Sequence, residues 1–546
     1  MITINRRVLF VLCAAQFLMV LDQAVMNVSI SQLVKDFDTS VTTIQGVITF
    51  YSLVMAALMI TGGKLGDLWG RRRAFAIGMV IYACGSALTA ASWDVASLAL
   101  GWSVLEGIGA ALVLPALVAL VAGNFAGEKR AVAYGLVGAM AGVGVAVGPL
   151  LGGWVTTYLS WRLVFIGEVV VAAVILLLVR AVKDPPREGP PPQLDIVGAV
   201  LSCIGLGLVV LGVLQSSTWG WVKPRNSPLE PFGFSLTLFV IGGGFVVIML
   251  FVSWQRHREA SGRDPLVRLE LFKNAVLRAG VSMYLAQSLI LMGIFFTMPL
   301  YLQVVQGYDA FETGVAMVPI SITLFIGAML GPRLAKAFGP RTVVRVGLGV
   351  LLVGTLLLLG HIEPDIDTVW FAITMAVLGA GMGLIAGQLG NVVQSSVGPS
   401  ERSEAGGVQN TAQQLGSALG VALMGAIVIG GLASAFLGQV NADPAISQAT
   451  KDTANVSLEA GVPFVPADDL RVAATKAGVP PAEVDALVSH YSDSELQALK
   501  AGLLVAAFFT VGAFFVTRRL PTHAMGGDVG AEPGTDQDNA GSTSSA

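Results

Sequence analysis

Gly62-Gly63-Lys64-Leu65-Gly66-Asp67-Leu68-Trp69-Gly70-Arg71-Arg72-Arg73 is a turn punctuated by glycine and loaded with positive charge, and it follows a long apolar run. A second such turn, Gly331-Pro332-Arg333-Leu334-Ala335-Lys336-Ala337-Phe338-Gly339-Pro340-Arg341, closes another apolar run far downstream. If the later half starts near residue 277, each turn follows the second apolar run of its half. That spacing reads as an internal repeat. Repeated halves with a binding site at their interface are the usual plan of secondary transporters.

The runs on either side of these turns are long enough to cross a bilayer. A span needs roughly 17–25 mostly apolar residues, and the chain offers about fourteen such runs, from 8–29 to 499–518. Of the 546 residues, 54% are hydrophobic and 12% charged, about half the charged share usual for a soluble chain. Lipid is therefore the expected solvent. The fold class expected is an all-α polytopic membrane protein: two six-helix bundles plus two extra helices. The expected parts are 1–190 (first half), 191–276 (two intervening helices and a loop), 277–520 (second half) and 521–546 (disordered tail). An outer loop rich in Asp, Glu, Pro and Ala, 433–498, carries helical stretches from Pro466 to Ala477 and from Pro481 to His490. Nothing in it suggests that a span depends on its packing, so it reads as dispensable.

Orientation follows from the basic residues, which favour the cytoplasmic side. Placing both termini there also places Arg6, Arg7, Lys64, Arg71 to Arg73, Lys129, Arg130, the run from Arg256 to Arg278, Arg333 to Arg345, and Arg518 and Arg519 there. A net charge of −3 gives no footing for a nucleic-acid partner. Cys13, Cys84 and Cys203 lie in apolar runs and read as small buried residues, so no metal site and no disulfide is expected. No phosphate-binding loop of the G-x-x-x-x-G-K-[ST] type occurs, which removes an ATP-driven pump and leaves an ion or substrate gradient as the energy source. No cofactor is expected, and a monomer is favoured.

Further stretches carry a resemblance. Leu21-Asp22-Gln23-Ala24-Val25-Met26-Asn27-Val28, the Gly62–Arg73 turn, Gly144-Val145-Ala146-Val147-Gly148-Pro149-Leu150-Leu151-Gly152-Gly153, Pro299-Leu300-Tyr301-Leu302-Gln303 and Asn410-Thr411-Ala412-Gln413-Gln414-Leu415-Gly416 fall in order on successive runs. Together they resemble the fourteen-span drug:proton antiporters of the major facilitator superfamily, over nearly the whole chain outside 433–498 and the tail. The resemblance implies a multidrug efflux transporter of a bacterial plasma membrane, with small molecules, protons and lipid as partners. It also implies a conformational switch at Lys64, Asp67, Arg71, Arg72, Arg130, Gly148 and Pro149, with Asp67 bridging the halves and pairing with Arg130. Gly148-Pro149 should bend its helix; a kink with no part in coupling is the plainer reading.

The departures from the pattern are informative. Ser103 stands where such proteins carry an Arg, and Glu106 where they carry a Gln. Glu168 replaces an Asn in Trp161-Arg162-Leu163-Val164-Phe165-Ile166-Gly167-Glu168. Asp22 lies ~21 Å from the cytoplasmic end of its span, Glu106 ~15 Å and Glu168 ~9 Å below the outer face. Carboxylates at such depth cost a few kcal/mol when ionised and alone. Asp22, Glu106 and Glu168 are therefore expected to gather in a wet cavity, beside Asn27 and Ser103, taking up protons when empty and yielding them to a cationic substrate. Structural acids that snorkel outward are the competing reading, strongest for Glu168. Arg162 is expected to snorkel. Gln303, Asn391, Asn410 and Gln413 give the second half a polar, uncharged lining. A facilitator, importer or lipid flippase without proton exchange stays open, as does a non-transporting sensor or assembly factor.

Overall fold

In the computed structural model of the chain, which describes residues 6–125, 128–184, 193–224, 226–398, 402–452 and 464–522, every long element is a helix. Fourteen of these are long and apolar enough to cross a membrane when the bent fifth is taken as one span. They are α1 (Arg6–Val28), α2 (Val41–Trp69), α3 (Arg71–Ala90), α4 (95–124), α5 (Glu128–Tyr158), α6 (Arg162–Leu178), α7 (Ile196–Trp219), α8 (Leu236–Ala260), α9 (Ala275–Leu300), α10 (Ala310–Phe338), α11 (Pro340–His361), α12 (Thr368–Ser395), α13 (Arg402–Ala442) and α14 (Pro481–Val516). The expected tail from 523 onward lies outside the described residues.

Helix pairing repeats between α1–α6 and α9–α14. In the first set α1 packs on α5, α2 and α3 on α4, and α3 on α6; in the second α9 packs on α13, α10 and α11 on α12, and α11 on α14. The two bundles meet along two seams, α5 against α10 and α2 against α13. These seams are equivalent under exchange of the halves, so the repeat read from the two glycine-rich turns is present in the packing. The intervening pair α7 and α8 pack on each other, and α7 lies against α2 and α13. Among the described residues, this pair covers the α2–α13 seam and not the α5–α10 seam.

Trp93, Trp154, Tyr158, Trp221 and Trp370 are exposed near the ends of helices on the face opposite the N-terminus. That is where amphipathic rings settle at a membrane–water boundary. Cys84, expected to be buried, is exposed on α3, while Cys13 and Cys203 are half-buried. Lipid is as good a solvent as the core for a small apolar side chain, so an apolar run alone does not distinguish the two.

Helix α5 bends by 40° between its segments 136–145 and 147–158. Pro149 lacks an N–H and its ring crowds the carbonyl of residue 145, so the bend falls where the sequence places it. A Cβ on Gly148 would collide with Ala24 of α1, and one on Gly153 with the Ala310 carbonyl of α10. These glycines let α5 touch the first helix of its own half and the second half at once.

The outer segment departs from expectation. Helices α13 and α14 run on past their spans, to Ala442 and from Pro481, and pair there. Phe436 meets Tyr491 edge-on with ring centroids 5.5 Å apart, and Phe464, Val484 and Leu487 are buried with them. The helical stretches expected at 466–477 and 481–490 are present, the first as a short helix Ala467–Lys476. What overturns the picture of a detached loop is that its apolar residues continue the α13–α14 interface.

Candidate functional site

Five helices of the first half converge on three carboxyl groups. Asp22 comes from α1, Glu106 from α4 and Glu168 from α6; one oxygen from each lies within 4.8 Å of the others. Residues Ala99–Glu106 of α4 are π-helical, and the wider turn buries Trp102, Ser103 and Glu106 together. Gly85 of α3 leaves room for Glu106, whose Cγ a Cβ there would meet at 2.6 Å. The side chains are 0%, 0% and 1% exposed, so the wet cavity expected around them is a sealed chamber inside one bundle. Small residues on α3 and α4 pack the helices too closely for bulk water.

Hydrogen bonds hold each acid by one oxygen. The Trp102 indole donates to Asp22 Oδ1 at 2.6 Å, Tyr82 and Ser86 donate to Glu168 Oε2 at 3.0 and 3.2 Å, and the Thr89 hydroxyl lies 2.9 Å from Glu106 Oε1. Thr89 is also 2.9 Å from the Gly85 carbonyl. It has one proton for two acceptors, so it either shares that proton or receives one from a protonated Glu106. The remaining oxygens, Asp22 Oδ2, Glu106 Oε2 and Glu168 Oε1, have no hydrogen-bond partner. Among the described residues, no Lys or Arg forms an ion pair with the triad. Tyr51 of α2 stacks on Trp102 with centroids 4.5 Å apart, and its hydroxyl faces the acids.

The expected neighbours are not all there. Ser103 is buried beside the chamber but donates to the Val47 carbonyl at 2.8 Å. The Asn27 amide bonds back to Gln23 of its own helix at 2.7 Å. Gln303, expected to line a cavity, is buried and bonds the Val28 carbonyl at 2.8 Å, tying the two halves together. Gln45, which the sequence reading passed over, does the same between α2 and α13, to Val421 and Ala422 at 2.9 and 3.3 Å, and Thr157 accepts from the Phe311 N–H at 3.0 Å. All these ties lie toward the face opposite the N-terminus, where the halves are shut. Asn391 and Gln413 are exposed and Asn410 half-buried on α12 and α13, away from the triad. Tyr51, Tyr82, Ser86, Thr89 and Trp102 were missed as well. The signal existed: Tyr82, Ser86 and Thr89 recur at i, i+4 and i+7, a polar stripe on an apolar helix.

At the N-terminal face, Asp67 pairs with Arg71 in its own turn, and Arg72 reaches Asp184 and Val182 beyond α6. The side chain of Arg130, and with it the expected Asp67–Arg130 pair, lies outside the described residues. Lys64 instead donates to the Pro265 carbonyl, in the segment joining α8 to α9. Arg162 does not snorkel freely; it lies over Trp161 with its carbon 4.4 Å from the ring, donates to the Ser92 carbonyl at 2.7 Å, and sits 3.7 Å from Asp36.

Two six-helix bundles related by an internal repeat, with buried acids in one of them, define a multi-pass membrane transporter. The Major Facilitator Superfamily family model matches residues 12–421, and the chain belongs to that family, which is one of transporters and not of enzymes. It is 33% identical over 442 residues to the puromycin resistance protein pur8 of Streptomyces alboniger, covering 80% of this chain and 84% of the relative. It is 31% identical to the probable actinorhodin transporter of Streptomyces coelicolor, over 78% of this chain and 72% of that one. Among solved structures, a bacterial homologue of the human lysosomal transporter Spinster, inward-facing and unoccupied, matches with a TM-score of 0.59 at 16% identity, over 95% of this chain and 98% of that one.

Proposed function

We propose that this chain exports amphipathic, preferentially cationic small molecules across a plasma membrane in exchange for protons, by alternating access, with its N-terminal face in the cytoplasm. The observation that carries the reading is the sealed acidic chamber. Among the described residues its three carboxyl groups have no Lys or Arg paired with them, and each keeps one oxygen free to carry a proton. A group that must hold a proton when the chamber is shut, and can release it when the bundle loosens, is what exchange requires. The resistance and export proteins among the relatives supply the class of cargo. Lys64 and Asp67 at one face, and Gln45 and Gln303 at the other, are the groups whose contacts would break and form as the halves rock.

The test uses everted vesicles loaded with a pH dye. Substrate-evoked proton movement that disappears in Glu106→Gln supports the exchange. Substrate movement with no proton signal would make the protein a facilitator or flippase, and neither signal would leave a sensor or assembly role.

A further inference from the structure

The acidic chamber holds more oxygen atoms than its hydrogen bonds account for. Each acid accepts at one oxygen only: Glu106 from Thr89, Asp22 from Trp102, and Glu168 from Tyr82 and Ser86. The three oxygens left over have no donor. A fourth oxygen, the hydroxyl of Tyr51, sits on a side chain 1% exposed, makes no hydrogen bond of good geometry and faces all three acids. From α2 and α3 the titratable groups facing the triad are Tyr51 and Tyr82. Hence three carboxyl groups and a phenol oxygen meet in a fully buried interior, and among the described residues no Lys or Arg is paired with them.

We propose that Asp22, Glu106 and Glu168, with Tyr51, form a binding site for one divalent, oxygen-seeking cation. The donor set is oxygen only, which suits Ca²⁺ or Mn²⁺ and excludes the thiolate and imidazole preferences of zinc and copper. Charge balance favours a divalent ion, since any two of the three carboxyl groups, ionised on binding, cancel the charge of one such ion. The ion competes with protons: binding it requires two of the acids to give theirs up, so affinity falls as the medium becomes more acidic. The absence of Cys and His ligand spacing, which argued against a metal, bears on soft sites and not on this one. The inference rests on the chamber being the coupling site, and it adds that the proton has a rival there.

The experiment is equilibrium binding of Mn²⁺ to the purified full-length protein in detergent, read by electron paramagnetic resonance, with radioactive Ca²⁺ as a second probe. One ion per chain is expected, with oxygen ligands only, protons released into a weakly buffered medium, and affinity weakening by about tenfold or more per pH unit on acidification. Asp22→Asn and Glu168→Gln should each abolish saturable binding. If either fails to fold, Tyr51→Phe keeps the carboxyl groups and should weaken binding severalfold. No saturable binding of either ion to the wild type, or binding that survives in folded Asp22→Asn or is unchanged in Tyr51→Phe, overturns the site. Proton exchange measured in chelator-treated vesicles distinguishes the two readings: exchange that persists there while the ion fails to bind leaves the transport proposal standing and removes this one.

Discussion

Lys64 in the first half and Glu404 in the second grip the same short stretch of chain. Lys64 donates to the Pro265 carbonyl, and Glu404 accepts from the Arg268 backbone N–H and from its guanidinium, both at 2.6 Å. Asn274, a few residues on, donates to the Ser396 carbonyl at the end of α12 at 2.6 Å. The segment between α8 and α9 is therefore a strap across the α2–α13 seam. Lys64→Met or Glu404→Gln should free it. Hydrogen exchange over 262–272 should quicken severalfold in either variant, and in neither should the helices of the bundles change.

Glu106 accepts from Thr89 at one oxygen and keeps the other free to carry a proton. Glu106→Gln keeps a donor toward Thr89 and removes the titration. Binding of a cationic probe should persist, more weakly, and lose much of its dependence on pH. The check is equilibrium binding of a cationic and an anionic probe from mildly acidic to mildly alkaline medium. An unchanged pH profile, together with tighter binding of the anion by the wild type, would falsify the acidic-chamber mechanism.

Trp102 both stacks on Tyr51 and donates to Asp22. Trp102→Phe keeps the stack and deletes the donor. A hydrogen bond to a charged group contributes ~1.5–3 kcal/mol, so unfolding of the purified protein should become easier by about that much. In an Asp22→Asn background the same change should cost clearly less, because the two residues share one interaction. Additive losses would show that Trp102 acts by packing alone.

Gly148 admits Ala24 where any side chain would intrude. Gly148→Leu must push α1 and its Asp22 away from α5, at a cost of ~1–3 kcal/mol for overpacking. Membrane insertion should survive and transport should not. Gly349, which has open space around it, supplies the control: Gly349→Leu should leave both unchanged.

At the far ends of α13 and α14, His490 donates to Asp443 at 2.7 Å. That hydrogen bond, and next the N–H of Ala445, hold the Asp443 carboxyl below its ordinary range. A carboxyl depressed by folding contributes stability above its unfolded range, and the contribution is lost as pH falls through the folded value. Protection of the amides in 439–450 and 484–492, taken relative to their intrinsic exchange rate at each pH, should therefore be high at neutral pH and fall in acid. In Asp443→Asn it should be low throughout. Excising 440–490 should destabilise the protein, since it would remove Phe464, Val484 and Leu487 from the cluster around Phe436 and Tyr491.

Much of the plan was legible because lipid imposes simple rules. Apolar length gave the helices, and the two glycine-rich turns gave the repeat. The convergence of Asp22, Glu106 and Glu168 could be foreseen as well, since buried acids seek each other or polar partners. Its enclosure could not. Whether a chamber is wet depends on how closely helices approach, and that is decided by Gly85, Ser86, Thr89 and the π-helical turn before Glu106, none of which signals its partner. Gln303 shows the same limit: a polar residue in a span reads equally as lining or as a tie between helices. The α13–α14 extension was hidden because its apolar residues, Phe464 and Tyr491, are scattered through a polar segment and form a surface only when the two helices stand side by side.

The unequal seams have a mechanical meaning. Among the described residues, α7 and the strap held by Lys64 and Glu404 reinforce the α2–α13 side, while the α5–α10 side is joined by close glycine contacts and by the bonds of Phe311 to Thr157 and Ser321 to Val145. Two halves joined this way do not part like a symmetric clamshell. When they part they should swing like a door hung on one edge, with the widest gap along α5 and α10. An oily molecule dissolved in the membrane would meet the opening there, sideways from the leaflet, before it met it from the water.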